Sequence, residues 1–457
     1  MYNNVKEVYK KFYELEDKYK LNKSRVKEVY FWQLIRTEIF NEICEKTLNK
    51  TPKKEKNRNK ISLKQIGLKN NLLDSNQEKK VIIVPNQEKF IENGEILDKY
   101  SYFLNNIFKK DEIEIIEKSN EKLLLKSKIN NKIRLLKLCE NKRQRLYNIE
   151  EELKKTFNIK INLLKIIKKA VLCFKYEYNE YDKLMKLKKP KYLIVVEISK
   201  NQAMIAAAKN NNVEVIGLQH GIIDEFSIDY NYSDKCKNEI NYFPDKLLTF
   251  GEYWNQMANY PIDPDKIIPI GFPYLESKTW RYLTNARQNQ ILFISNKYIG
   301  KKLSEFAYEI AILLKDYTII YKLSKDETPE DYEYLTGNDN TGNIKVISAK
   351  EDSIKDEDEI YELLSTSKYQ VGMDPVAIYK GLFFTNKIFL LDDKLNNLID
   401  EKIAIKINSP EEIVEYIDKF KLHKHIRHYF FKKFEREELL KVFNINNSKK
   451  ITMNHRK

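Results

Sequence analysis

Short apolar runs separated by amphipathic stretches of helical length recur along this chain, most densely after residue 190. Val81-Ile82-Ile83-Val84 ends at Pro85 and reads as a strand buried on both faces, with Asn86 to Gly94 as a loop at its carboxyl end. From Lys191 the alternation becomes regular. Tyr192–Val196 reads as a strand, Asn201–Asn210 as a helix close-packed through Ala203, Ala206, Ala207 and Ala208, and Val213–Gly217 as the next strand. Together they predict a compact right-handed βαβ unit. Asp245–Phe250 and Lys266–Ile270 read as further strands, with a helix around Tyr253 to Ala258 between them. After a polar stretch at 278–289, which predicts an interdomain connection, a second series begins. Its strands are Gln290–Ile294, Tyr317–Tyr321, Ile344–Ile347, Tyr369–Gly372 and Lys387–Leu391; its helices are Leu303–Leu314, Asp358–Ser365 and Val376–Phe383.

Three regions carry a helical pattern instead. Residues 1–48 lack glycine and proline, and Phe31, Leu34, Ile35, Ile39 and Phe40 share a face. On that helix Trp32 reads as a packing anchor and Arg36, one turn on, as a surface charge. Residues 101–190 lack glycine and predict two or three helices; the tail after Pro410 predicts two or three more. The pattern as a whole predicts an α/β fold of two doubly wound, Rossmann-like domains with a cleft between them, plus extra helices at both ends. The boundaries read 1–80 for a helical segment and basic linker, 81–280 for the first α/β domain with a long helical insertion at about 101–190, 281–409 for the second domain, and 410–457 for terminal helices.

Composition narrows the partners. In 457 residues, 82 Lys and Arg face 67 Asp and Glu, a net charge of +15, which favours anionic ligands. Residues 50–60 concentrate Lys50, Lys53, Lys54, Lys56, Arg58 and Lys60 against Glu55 alone; this reads either as a solvated linker or as a patch that attracts anionic phospholipid head groups. A nucleic-acid partner is suggested by net charge alone and by no motif, so nucleic acid is not among the expected partners. Cys44, Cys139, Cys173 and Cys236 are widely spaced and read as reduced thiols. Without an apolar leader or a run of about 20 apolar residues, the expected location is the cytoplasm, in solution or at the inner face of the membrane.

In open α/β sheets, ligands bind beyond the carboxyl ends of the strands. Four such ends carry candidate residues: Leu218-Gln219-His220-Gly221, Gly251-Glu252, Ser295-Asn296-Lys297, and Met373-Asp374-Pro375. His220 could deprotonate a hydroxyl near neutral pH or contact a phosphate oxygen, or serve as a structural histidine; Gly221 beside it allows close approach. Asp224 and Glu225 are alternative bases. Ser295 and Asn296 lead into a helix whose amino end would favour a phosphate, and Lys322, Ser324 and Lys325 follow the next strand. Asp374 could cap a helix that Pro375 opens, and Asp392 and Asp393 could accept ribose hydroxyls. His423, His425 and His428 do not read as a metal site, because Lys421, Lys424 and Arg427 would repel a cation. Neither Gly-x-x-x-x-Gly-Lys nor Gly-x-Gly-x-x-Gly occurs.

Three segments in order resemble the GT-B glycosyltransferases that build bacterial capsules and other surface glycans, and the related polyol-phosphate transferases of teichoic acid synthesis. Val215-Ile216-Gly217-Leu218-Gln219-His220-Gly221 is similar to their strand ending in Gln-His-Gly. Phe243 to Glu252 resembles their Pro-Asp, apolar strand and Gly; Ile268 to Glu276, with Gly271-Phe272-Pro273, resembles their Gly-x-Pro signature. Many members have Lys-x-His-Pro where this chain has Lys322-Leu323-Ser324-Lys325, so Lys322, Ser324 or Lys325 would take over the contact to donor phosphate.

The resemblance implies transfer of a sugar from a nucleotide-sugar donor to a surface-glycan, lipid-linked or protein-linked acceptor, inverting, with no metal and no cofactor beyond the nucleotide-sugar substrate. It assigns His220 and Asp224 to catalysis, and Gly221, Gly251, Glu252, Gly271, Ser295, Asn296, Lys322, Ser324 and Asp374 to the donor side. The alternatives are a CDP-linked polyol-phosphate transferase and a catalytically inactive binding or scaffold homologue.

Overall fold

The apolar runs form two six-stranded parallel sheets and one antiparallel hairpin. A computed structural model describes residues 5–48, 77–92, 94–117, 140–337, 341–372, 375–384, 386–391, 404–417, 419 and 426–445. In the first sheet, β1 (Val81–Val84), β4 (Ile113–Ile115), β5 (Tyr192–Val195), β6 (Glu214–Leu218), β7 (Lys246–Thr249) and β8 (Ile267–Pro269) run in the order β4-β1-β5-β6-β7-β8. Every residue of β1 and β5 is buried, as expected of strands covered on both faces. The second sheet holds β9 (Gln288–Ile294), β10 (Thr318–Lys322), β11 (Ile344–Ile347), β12 (Ser367–Gly372), β13 (Lys387–Leu391) and β14 (Ala404–Ile407) in the order β11-β10-β9-β12-β13-β14. The strand order reverses between β1 and β5 in the first sheet and between β9 and β12 in the second. Those two crevices are where a doubly wound sheet offers a ligand site.

The helices are α1 (Val5–Lys18), α2 (Phe31–Thr47), α3 (Glu140–Phe157), α4 (Leu163–Lys188), α5 (Gln202–Asn210), α6 (Glu252–Gln256), α7 (Pro273–Thr279), α8 (Gly300–Leu313), α9 (Ser353–Thr366), α10 (Pro375–Phe383), α11 (Pro410–Tyr416), α12 (Ile426–Phe430) and α13 (Arg436–Val442). On α5, Ala203, Ala207 and Ala208 are buried as their size predicts. In the second unit Phe293, Leu303, Ala307, Tyr321, Val371 and Phe389 share one core between the sheet and its helices. No helix among the described residues is long and apolar enough to cross a membrane. Cys173 and Cys236 are buried and Cys44 is partly buried; Cys139 and the basic segment 50–60 lie outside the described residues.

The structure departs from the pattern in four places. The loop after β1 is a hairpin, β2 (Lys89–Glu92) with β3 (Glu95–Asp98), turned at Gly94 with φ +81°. The helical insertion does not start at 101: two 3-10 turns, at Tyr102–Asn106 and Lys110–Glu112, lead into β4. The first 48 residues are two helices, not one, parted at Lys20 and Lys27, both in left-handed backbone. The chain also divides earlier than 280. One compact unit comprises the residues up to Leu248 with Asn255–Ile268; the other takes Thr249–Trp254 and everything from Pro269. The reason lies in α7 and the stretch after it, which bind α9: Tyr274 Oη donates to Glu357 Oε2 at 2.9 Å, Arg281 pairs with Asp358 at 2.7 Å, and Asn285 Nδ2 donates to Ser365 Oγ at 2.7 Å.

Candidate functional site

In the first unit, the carboxyl ends of β1, β5 and β6 present Asn86, Glu197 and His220. Gln219 N donates to Leu248 O at 2.9 Å, extending the sheet by one residue. The same residue's Nε2 donates to Gly221 O at 2.8 Å and fixes the turn. His220 is therefore the first side chain free of the ladder. Its Nδ1 is buried with no hydrogen-bond partner among the described residues, an unusual state for a polar atom. Tyr100 meets the imidazole edge-on at a centroid distance of 6.2 Å. A Cβ added at Gly221 would meet nothing within 4 Å, so open space adjoins the histidine.

Burial pushes the His220 pKa down from 6.5, against the pull of Glu197, Asp229 and Glu88 and with a smaller push from Lys200. The ring is thus held neutral at pH 7, the form a base requires. Glu197 and Asp229 supply the nearby negative charge. Asp224, expected as the reserve base, instead closes its own turn: Oδ1 accepts from Phe226 N at 2.9 Å and from Ser227 Oγ at 2.7 Å. Asp229 is fixed by Thr37 Oγ1 at 2.5 Å and Ser199 Oγ at 3.0 Å.

Arg36 anchors this loop and is not the surface charge its position suggested. It is 1% exposed. Its Nε and Nη2 donate to the two oxygens of Glu16 at 2.9 and 2.8 Å, and its Nη1 donates to Ile228 O at 2.5 Å and Asn231 O at 3.0 Å. The guanidinium lies over the Tyr232 ring at 4.2 Å, and Trp32 Nε1 donates to Glu16 Oε1 at 2.5 Å. Residues from α1 and α2 thereby hold the chain on both sides of Asp229.

In the second unit, Ser295 stands at the β9 end of the crevice, and its Oγ donates to Glu327 Oε1 at 2.7 Å. Ser324 donates to the other oxygen of Glu327 through N at 2.9 Å and Oγ at 2.8 Å, and Tyr332 Oη donates to Oε1 at 2.5 Å. A Cβ at Gly300, the first residue of α8, would lie 2.3 Å from Glu327 Oε1 and 2.1 Å from Tyr332 Oη. A carboxylate of the chain's own thus sits against the start of α8, where a phosphate was expected. Asn296 Oδ1 accepts from Tyr298 N at 3.0 Å, shaping the turn into that helix.

Lys322 also departs from expectation. It is 1% exposed, and its Nζ donates to Asp356 Oδ1 at 2.7 Å, Glu359 Oε2 at 2.9 Å and Ser348 O at 2.7 Å. Lys350 pairs with the other oxygen of Glu359 at 2.9 Å. Burial would raise the Glu359 carboxyl, but these two lysines outweigh it and hold it below its usual value. Two cations and two carboxylates cancel, so Lys322 has no spare charge for a phosphate. Asp374, Asp392, Asp393, His423 and His425 lie outside the described residues. Among those described, no group of three His, Cys, Asp or Glu side chains is placed to hold a metal.

The two family-like glycines serve packing. A Cβ at Gly251 would lie 2.5 Å from both Tyr429 O and Phe430 O, and one at Gly271 would lie 2.3 Å from Lys432 O. Around them Trp254 Nε1 donates to Phe430 O at 2.7 Å, Lys432 N to Phe250 O at 2.8 Å and Phe434 N to Glu276 Oε2 at 3.1 Å. Gly251 and Gly271, expected on the donor side, seat a segment returning at residues 429–434, while Glu252 is an exposed residue at the start of α6. Gly271 also has φ +91°. Gly271→Ala is expected to destabilise by more than the about 1–3 kcal/mol of a strained φ alone, measured as a lower urea midpoint. Gly94→Ala, at φ +81° but with nothing within 4 Å, is the control and loses less.

No family model matches the chain, and no curated protein matches it. Among solved structures, the UDP-GlcNAc 2-epimerase from Methanocaldococcus jannaschii is 12% identical over 80% of this chain and 99% of its own, with a TM-score of 0.46. A glycosyltransferase from Rickettsia africae is 15% identical over 60% and 81%, with a TM-score of 0.38. The lipopolysaccharide outer core galactosyltransferase WaaB is 9% identical over 60% and 80%, with a TM-score of 0.36. These likenesses are remote and assign no residue of this chain.

Proposed function

We propose that the protein is a nucleotide-sugar-dependent glycosyltransferase in which His220 accepts the proton of an acceptor hydroxyl. The observation that carries this reading is the half-buried imidazole with a buried Nδ1 unpartnered among the described residues, set at a strand end beside open space and within the field of two carboxylates. The acceptor oxygen bonds to the anomeric carbon as that carbon's bond to the donor diphosphate oxygen breaks. The bonding pair leaves with the phosphate, the proton passes to His220, and the configuration inverts. Glu197 and Asp229 stabilise the imidazolium that forms. The nucleotide occupies the β9/β12 crevice. Because Lys322, Ser295 and Ser324 are engaged within the fold, the departing phosphate relies on the amino end of α10.

A second reading, an inactive binding homologue, is favoured by the neutralised Lys322. A panel of nucleotide sugars and CDP-linked polyols, with products weighed by mass spectrometry, separates the readings. A sugar increment supports ours, a polyol-phosphate increment supports the related transferase, and no transfer from any donor rejects both transferases in favour of the binding homologue. The pH profile of kcat/KM gives a sharper expectation. With the His220 pKa held below 6.5, activity is flat at and above pH 7 and falls on the acid side, with a midpoint below 6.5; a midpoint above 6.5 contradicts the assignment. The same shift makes the folded chain a poorer proton acceptor than the unfolded one, so this group subtracts stability as the pH drops below 6.5.

A further inference from the structure

Arg427 is a half-buried cation with no carboxylate in hydrogen-bonding range among the described residues. It belongs to α12 in the second unit, its guanidinium lies 4.1 Å from the centroid of the Phe383 ring, and its Nε is buried without a hydrogen-bond partner. Burial pushes its pKa down against the pull of Glu276, a carboxylate that lines the same cavity and accepts from Phe434 N at 3.1 Å. Leaving a guanidinium so placed costs free energy unless an anion completes it.

The space for such an anion is present. A cavity of about 220 Å³ opens at Arg427, walled by Phe272, Phe383 and Phe431 and edged by His428, Lys432 and Lys433, with Glu276 as its one carboxylate. Lys432 is committed to Glu438 at 2.7 Å, whereas Lys433 is exposed. We infer that this cavity binds a phosphate group, free or carried by a small monoester, through Arg427 and Lys433. A planar guanidinium fork suits phosphate oxygens, and the volume is below the about 300 Å³ at which pockets begin to hold drug-sized ligands. The cavity is separate from the proposed nucleotide crevice. Phe383 ends α10, eight residues beyond Pro375, or about 12 Å at 1.5 Å per residue. The inference does not depend on the reaction proposed above.

The test is calorimetric titration of the full chain with inorganic phosphate, with glycerol 3-phosphate, and with vesicles of phosphatidylcholine containing or lacking phosphatidic acid. Saturable binding of phosphate or the monoester is expected, weakened about tenfold or more in Arg427→Gln, the scale of a lost charge-assisted pair. Lys433→Gln, at the surface, weakens it several-fold and keeps the test decisive if Arg427→Gln does not fold. Saturation by the soluble probes identifies a free ligand; saturation only by phosphatidic acid vesicles identifies a lipid head group. Absence of saturable binding to any probe, unchanged affinity in either variant, or equal binding of acetate overturns the inference.

Discussion

His220→Ala lowers kcat/KM for sugar transfer by about 10²- to 10⁴-fold, the range supplied by a positioned general base, with little change in the unfolding midpoint. The small stability effect follows from the absence of bonds to lose. Nδ1 has no partner, and the turn is held by Gln219 through Leu248 O and Gly221 O. A histidine whose role was structural would show the reverse, with intact turnover and a lowered midpoint. His220→Gln sharpens the comparison: it restores polarity and approximate size but cannot take a proton, so it stays as slow as the alanine variant and loses the acid limb of the pH profile. Transfer by His220→Ala at near the parental rate would remove His220 from the chemistry.

The largest stability loss is expected at Arg36. Arg36→Met leaves Glu16, 3% exposed, without its bidentate partner and frees the carbonyls of Ile228 and Asn231. Removing one member of a buried ion pair costs about 3–5 kcal/mol, read from chemical unfolding. Double replacement by Glu16→Leu and Arg36→Met recovers part of this, because it removes the stranded carboxylate, but not all, because the two carbonyls remain unpaired. The loss also reaches the site. Asp229 lies between the two anchored carbonyls, so the single variant loosens the charge that supports an imidazolium at His220. Any remaining activity then shows its acid limb moved to lower pH. If Arg36→Met unfolds at the parental denaturant concentration, the buried network contributes nothing and this account of the loop fails.

What could be read from the chain follows the physics of each element. Runs buried on both faces are conspicuous: β1, β5, β6, β9, β10 and β13 fall within two residues of the apolar patterns that predict them. The elements overlooked have weaker signatures. β4 and β14 are short outer strands with Glu114 and Lys406 in their middles, and the hairpin after β1 exposes Ile91 at 60% and Ile96 at 71%, so its alternation does not point to a core. Its one legible cue was Asn93-Gly94, the pair favoured in two-residue turns. At the site, His220 was legible as a polar residue ending a strand; Glu197, just past the end of β5, was overlooked although it carries the same signal. Asp229 was not legible, because its place depends on Thr37 and Ser199, distant in sequence. Arg36 looked exposed because a helical repeat assigns it a face without revealing that Glu16 lies opposite. Lys322 and Ser324 looked available for the same reason: Asp356, Glu359 and Glu327 meet them only through folding.

The return of residues 429–434 to Gly251, Trp254 and Gly271 also sets a timetable for biogenesis. Trp254 leaves the ribosome well before Phe430, whose carbonyl it must reach; the intervening 176 residues take about 9–35 s at 5–20 residues per second. During that interval Gly251 and Gly271 face an unfilled seat. Neither unit is a continuous stretch of message, since Thr249–Trp254 belongs to the second although it is encoded inside the first. A nascent chain stalled before residue 426 is therefore expected to expose Phe250 and Trp254 to chaperones, and the emergence of residues 429–434 is the event that fills the seat.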